Sequence, residues 1–286
     1  MTPDEFLRQL PRMDGQTWVI TGAAGGLGRA AARDFLRLGA RLWVTARSLD
    51  KARALAASLR QEVPQAHLHA RELDLSRMDS VKQFAANWDG PLDGIVHNAG
   101  ICFVPRSMTA DGYELKYQTH CLAPMVLNRL LEPCLVGGRV VAVNSIIGTL
   151  PPRKNDWRGE GAMKEIRRYS ISKRVLSDAM LTWAKETHDI TAVLAHPGIS
   201  ATPMVGATPV LSPFRGVEKR LFMSPEVACL SLVYAAAMPL ASGTEVGPRG
   251  FLAAWGWPRE SKPGLLASRD PELYGRRVLA DTEKFI

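Results

Sequence analysis

Apolar and polar positions follow two rhythms along this chain. Short apolar runs at 17–21 (TWVIT), 41–46 (RLWVTA), 138–145 (GRVVAVNS) and 190–198 (ITAVLAHPG) read as strands buried on both faces. The segments 67–74 and 92–100 are strand-like as well. Between them, apolar residues recur every three to four positions at 29–39, 50–63 and 78–88, which predicts helices, the first ended by Gly39. A long helical stretch is expected over 112–135, kinked at Pro124, with others over 169–187 and 224–238. The last of these has Ser224 as a cap before Pro225 and Glu226. The run at 249–255 would supply a seventh strand. Buried strands alternating with helices predict an α/β fold, a doubly wound parallel sheet of about seven strands with right-handed crossovers. No linker or repeat divides the chain, so one domain is expected over residues 1–286. Two irregular segments, 146–168 and 199–223, follow strands and are expected to line a ligand crevice.

Composition narrows the class. With 286 residues and 46% hydrophobic content the chain can bury a large core. No apolar run approaches the roughly 18 residues of a membrane span, and the acidic start of the chain lacks a signal peptide's apolar centre. A cytoplasmic protein without a membrane partner is therefore expected. Cys102, Cys121, Cys134 and Cys229 form no CxxC pair, so they are expected as reduced core or pocket residues, with no metal site. The net charge of +8 raises the question of nucleic acid, but Lys and Arg are spread along the chain and no zinc-finger, RRM or basic-zipper pattern accompanies them. A small phosphate-bearing ligand accounts for the charge better.

The stretch VITGAAGGLGRA is where such a ligand would sit. It follows the first strand and opens the first helix. Gly22 allows a tight exit from the strand, a glycine at 25 or 26 lets a pyrophosphate approach the backbone, and Gly28 permits close packing of helix on sheet. The helix N-terminus then offers N–H groups and partial positive charge. About 20 residues on, the second strand ends in Ala46 and Arg47, with no carboxylate before Asp50. An acidic residue at that point would hold a ribose 2′-hydroxyl; Arg47 suits a 2′-phosphate and favours NADP(H) over NAD(H).

Further motifs follow in order: LDL at 73–75, HNAG at 97–100, Ser145 after the fifth strand, YSISK at 169–173 and HPGISAT at 196–202. With TGAAGGLG, this series resembles the short-chain dehydrogenase/reductase family, a Rossmann-type fold. The resemblance implies dinucleotide contacts from Gly22, Gly26, Leu27, Gly28, Asp74, Leu75, Asn98, Ala99, Gly100, Pro197, Gly198 and Thr202, besides Arg47, Tyr169 and Lys173. It also implies a small-molecule carbonyl or alcohol as substrate, and a homo-dimer or homo-tetramer built on the helices at 112–135 and 169–187 unless the long tail and insertions block those surfaces and leave a monomer.

The chemistry of the series can be stated from the residues. Tyr169 is a proton donor or acceptor, and an ammonium at Lys173, one helical turn on, favours the phenolate. Ser145 can hydrogen-bond a substrate oxygen and hold it beside Tyr169. Three departures from the family's pattern stand out. His120 occupies the place of an Asn in the long helix that, as the resemblance implies, helps hold a water linking the Lys to solvent; His120 could bond that water, titrate near neutrality, contact substrate, or equally be a packed core histidine. Ser145 and Tyr169 lie 24 positions apart, about twice the spacing of simple members and similar to the retinol dehydrogenase-like branch, as is the tail PELYGRRVLADTEKFI. His97 replaces the first Asn of NNAG. Phe103, Met108, Leu150, Trp157, Met204, Val205 and Phe214 are candidates for an apolar substrate wall. The expected function is an NADP(H)-dependent ketoreductase or alcohol dehydrogenase acting on a bulky or apolar small molecule. The alternative, for which His120 speaks, is a catalytically altered dinucleotide-binding regulatory protein.

Overall fold

The computed structural model of the chain describes residues 1–145, 155–187, 189–200, 222–250, 253–261 and 266–286. One sheet organises them. Its strands are β1 (Thr17–Ile20), β2 (Arg41–Ala46), β3 (Leu68–Glu72), β4 (Gly94–His97), β5 (Arg139–Val143), β6 (Thr191–Ala195), β7 (Glu245–Pro248) and β8 (Pro258–Ser261). They run in the order β3-β2-β1-β4-β5-β6-β7-β8. Every neighbouring pair is parallel except β7 with β8. The chain reverses its direction of winding between β1 and β4, so the loops after those strands diverge and leave a crevice at their carboxyl ends.

The side chains of the central strands alternate between two cores, which is why the strands read as unbroken apolar runs. Val19, Ile95, Val140, Ala142, Ala192 and Leu194 face one layer. Trp18, Ile20, Val96, Val141, Val143, Val193 and Ala195 face the other. The first layer holds α4 (Met78–Ala86), α6 (Ala123–Leu131) and α7 (Glu165–Thr187), together with the C-terminal helix Pro271–Thr282. The second holds α1 (Pro3–Leu7), α2 (Gly26–Arg37), α3 (Leu49–Glu62) and the helical turns Pro225–Ala228 and Leu230–Ala237. No helix among the described residues is long and apolar enough to cross a membrane.

Three expectations change. The described residues of the run 249–255 form no strand: β7 ends just before it, and Ala253, at φ 55°, precedes the edge strand β8, making eight strands among the described residues. Both turn-side ends are prolines, Pro248 opposite Pro258, which hid the pair from a pattern search. The stretch 112–135 is not one helix. It comprises α5 (Leu115–Tyr117), a π-helical turn Gln118–Leu122, and α6. Pro124 has no N–H for the carbonyl one helical turn before it, and the wider turn, closed by Ala123 N–H onto Gln118 O, absorbs the misfit. Ser224 begins its helix without a side-chain capping bond, and that helix is broken at Cys229. In addition, α7 is covered along part of its length by the chain's own tail. The C-terminal helix lies across it, so close that a Cβ on Gly275 would fall 2.7 Å from Asp178 O. The tail also extends the catalytic side's wiring: Asp281 accepts from the Tyr117 hydroxyl at 2.8 Å and from Arg158 Nη2 at 2.6 Å. The four cysteines are free thiols, with Cys102, Cys121 and Cys229 buried.

Candidate active site

The glycine turn is shaped by what it touches. Gly22 leaves β1 at φ 62°, and a Cβ there would lie 2.7 Å from Ala99 Cα; one on Gly28 would lie 2.6 Å from Asn98 Nδ2 and 2.8 Å from Ala23 Cα. Asn98 braces the turn by donating to Thr21 O at 3.0 Å and Gly22 O at 3.1 Å, while Ala99 N–H donates to Thr21 Oγ1 at 3.1 Å. The helix α2 starts at Gly26, with no side chain capping it and no acidic residue in its first turn. Its first N–H groups are thus free to meet an anion.

Above this turn lies a cavity of about 890 Å³. Gly22, Gly26, Leu27, Gly28, Arg47, Asp74, Leu75, Asn98, Ala99, Gly100, Pro197 and Gly198 all line it, as do Ser145, Tyr169 and Lys173. Thr202 lies outside the described residues. At one end the exposed Arg47 is joined by Lys51, which the sequence reading missed. Ser48 caps α3 by accepting from Lys51 N–H at 3.3 Å, and this cap sets both cations at the same rim. The signal was present: a serine cap followed three residues later by Lys in the first helical turn.

At the other end, Ser145 follows β5 and is fixed through its neighbour. Asn144 Oδ1 accepts from Ser145 N–H at 2.6 Å, and Asn144 Nδ2 donates to Lys173 O at 3.0 Å. Tyr169 and Lys173 stand one turn apart on α7, 8% and 3% exposed. The expected lowering of the Tyr169 pKa by Lys173 is not found, as the Lys173 ammonium is turned to Val143 O: burial pushes the phenol well above its usual range, with the nearby Cys102 thiol adding to the rise, and only a hydrogen bond with Ser145 opposes them. Lys173 Nζ donates to Val143 O at 2.7 Å, and burial lowers its pKa from 10.5 to about 8. Below about pH 8 the folded protein therefore holds a charged, poorly solvated ammonium, at a cost relieved as the pH rises from 8 toward 10.5. Lys173→Met is accordingly expected to be more stable than the wild type at pH 7, by about 2 kcal/mol after allowing for the lost hydrogen bond. Denaturant titrations should show that gap closing between pH 8 and 10.5; a gap independent of pH would refute the assignment.

The structure packs His120 away from the cavity, as a core histidine. It sits in the π-helical turn, 1% exposed, and does not line the cavity. Ile101 N–H donates to its Nε2 at 2.8 Å, so the ring proton is on Nδ1 and is given to Ser172 Oγ at 2.7 Å; Ser172 Oγ donates in turn to Tyr169 O at 2.8 Å. Burial, with the charges of Lys173 and Lys116, holds its pKa well below the usual value. The neutral ring ties the loop after β4 to the helix of Tyr169, whose ring it meets edge-on at 5.5 Å. His120→Asn can keep only one of the two bonds and should cost about 1–3 kcal/mol of stability. The pH profile of the reaction between 5 and 8 should keep its shape; loss of a limb there would show that His120 titrates after all. His97 is likewise neutral, its pKa lowered to about 4 by burial, and its Nε2 lies 2.7 Å from Asn128 Oδ1.

Residues 16–209 match the sequence profile of the short chain dehydrogenases. The chain belongs to the short-chain dehydrogenase family. Within that family it is similar to the retinol dehydrogenase-like members. It is 31% identical over 291 residues to polyprenol dehydrogenase of Mus musculus, covering 95% of this chain and 84% of that one. It is 31% identical over 257 residues to retinol dehydrogenase 14 of Homo sapiens, covering 81% and 76%. A crystal structure of an uncharacterized protein from Mycobacterium paratuberculosis superposes with a TM-score of 0.79 at 27% identity, covering 98% of this chain and 96% of that one. The short-chain dehydrogenases are oxidoreductases that use a nicotinamide dinucleotide, and the cradle described above fits that group.

The apolar wall is only partly the expected one. Phe103 lines the cavity, with Ile101, Cys102, Val104, Leu115, Ile166 and Phe222. Met108 does not; it is 48% exposed and bridges to Glu114. Trp157 packs edge-on against Tyr117 at 5.4 Å under the Arg158 guanidinium and does not line the cavity. Leu150, Met204, Val205 and Phe214 lie outside the described residues.

Proposed function

We propose that the chain is an NADP(H)-dependent oxidoreductase that interconverts a carbonyl and an alcohol on a bulky, apolar small molecule. The observation that carries this reading is the convergence of Ser145, Tyr169 and Lys173 at the apolar end of a cavity whose far rim bears Arg47 and Lys51. The open N-terminal turn of α2 would hold the pyrophosphate, Asp74 the adenine end, and Lys173 the nicotinamide ribose. A bound nicotinamide supplies or accepts the hydride. The protein's own work is with the proton. Tyr169, protonated across the neutral range because burial disfavours its anion, gives its proton to the carbonyl oxygen during reduction and takes it back during oxidation. Ser145, bonded to Tyr169, is placed to donate to the same oxygen. Ile101, Cys102, Phe103, Val104, Leu115 and Ile166 present a wall without charge, which suits an apolar substrate. Nicotinamide absorbance followed over a panel of apolar ketones and aldehydes tests the reading. Tight dinucleotide binding without turnover on any of them would favour the regulatory alternative.

A further inference from the structure

Four charged side chains lie side by side behind the apolar wall, and the chemistry above uses none of them. Lys116 is fully buried; its Nζ donates to Val104 O at 2.6 Å and to Glu165 Oε2 at 2.6 Å. Glu165 Oε1 accepts from Arg168 Nη1 at 2.6 Å. Arg168, 2% exposed, also donates to Gly159 O at 2.7 Å, Gly161 O at 2.9 Å and Met163 O at 3.3 Å. Glu114, 0% exposed, closes the row: its Oε1 lies 3.7 Å from Arg168 Nε, and its Oε2 accepts from Lys116 N–H at 2.7 Å and Tyr117 N–H at 2.9 Å. Burial alone would push the Glu165 carboxyl up, but the Lys116 hydrogen bond and the charges of Lys116 and Arg168 hold it below its usual range.

From Glu114 and Lys116 at the start of α5, the array reaches three stretches of chain. Val104 belongs to the loop after β4; Gly159, Gly161 and Met163 belong to the segment before α7; Glu165 and Arg168 form the first turn of α7, immediately before Tyr169. Val104, Leu115 and Ile166 line the cavity, and each is gripped by the array or adjoins one of its members. Glu165 is 33% exposed, but Lys116, Arg168 and Glu114 are buried, and ion pairs with such partners are poor stabilisers, because desolvation offsets their attraction. What they do supply is fixed geometry, since four alternating charges with directed hydrogen bonds permit one arrangement of the three segments.

We propose that Lys116, Glu165, Arg168 and Glu114 are positioning residues that set the substrate end of the cavity by latching the loop after β4 and the 159–163 segment to the first turn of the Tyr169 helix. The proposal rests on the oxidoreductase reading of that cavity. It acts on substrate placement more than on dinucleotide binding, because none of the four lines the cavity and the residues they hold include the apolar wall residue Val104.

The test compares the full-length wild type with Lys116→Met and with the double variant Lys116→Met/Glu165→Gln, using decanal and propanal as probes and NADPH as cofactor. Lys116→Met alone leaves Glu165 short of a partner and should lower the melting temperature. The double variant removes both charges and should recover most of that loss. If the array only stabilised the fold, kinetics would recover with it. Positioning predicts otherwise: KM for decanal stays raised by about tenfold or more in the double variant, kcat changes less, and the NADPH dissociation constant stays within about twofold. Propanal, too small to span the wall, should be affected less. A double variant with wild-type KM for decanal overturns the latch while leaving the oxidoreductase reading intact. Wild-type protein that binds NADPH and reduces neither aldehyde overturns this proposal together with that reading.

Discussion

Replacing Tyr169 by Phe is expected to lower turnover by about a thousandfold while dinucleotide affinity stays within about twofold. The figure falls inside the range for loss of one positioned acid–base group. Phe preserves the ring that meets His120 edge-on, so the helix should hold its place. What is lost is the hydroxyl, with its bond to Ser145 and the proton it carries. Direction matters as well. A phenol pushed up by burial is protonated at neutral pH, which suits reduction, where a proton must be given. Oxidation needs the anion, so the wild-type oxidation rate should climb through the alkaline range while the reduction rate stays level near neutrality. Lys173, charged only below about pH 8, adds a second transition to both profiles. In Tyr169→Phe the alkaline rise should vanish. Single-turnover nicotinamide absorbance at several pH values reads both effects, and a variant that keeps either the rate or the rise would remove Tyr169 from this role.

Much of this arrangement was legible in the residues, for a definite reason. The sheet announces itself because its strands are buried on both faces, so β1, β2, β5 and β6 appear as apolar runs that no exposed element would tolerate. The glycine turn is legible because Gly22 and Gly28 answer a steric demand from Ala99 and Asn98. Tyr169 and Lys173, whose one-turn spacing alone says little, are legible because Ser145 at a strand end and the glycine turn precede them in order. What escaped depends on contacts distant in sequence. His120 could not be assigned a tautomer until Ile101 N–H and Ser172 Oγ were placed on either side of it. Lys116 and Glu165 are 49 residues apart, and each in isolation reads as a solvated charge. The apolar candidates failed differently: Met108 and Trp157 have the right chemistry for a substrate wall, but the pattern does not say which face of an irregular segment meets the cavity. That the tail is helical and able to cover α7 was legible in PELYGRRVLADTEKFI, but its seat at Gly275 was not, since the only signal there is the absence of a side chain.

Removing both cations at the adenine end, in Arg47→Ala/Lys51→Ala, should weaken NADPH about a hundredfold and NADH less than about threefold. A charge-assisted hydrogen bond to a phosphate contributes about 1.5–3 kcal/mol, but Arg47 is exposed, so solvent screening brings the pair down to roughly that of one well-buried contact. The two groups are not equivalent. Arg47 leaves the end of β2 free to fork around a phosphate, whereas Lys51 is fixed in the first turn of α3 by the Ser48 cap, where the helix N-terminus adds its own partial positive charge. Each single variant should therefore retain part of the preference, and Arg47→Ala should lose more than Lys51→Ala. Screening supplies a second check. Raising the ionic strength from about 0.05 to 0.5 M should narrow the wild-type gap between NADPH and NADH and leave the double variant's ratio nearly unchanged. Dissociation constants from nicotinamide fluorescence at both salt concentrations decide the matter. Equal losses of NADPH and NADH in the double variant would mean that Arg47 and Lys51 meet something common to both dinucleotides, and the 2′-phosphate assignment would fall.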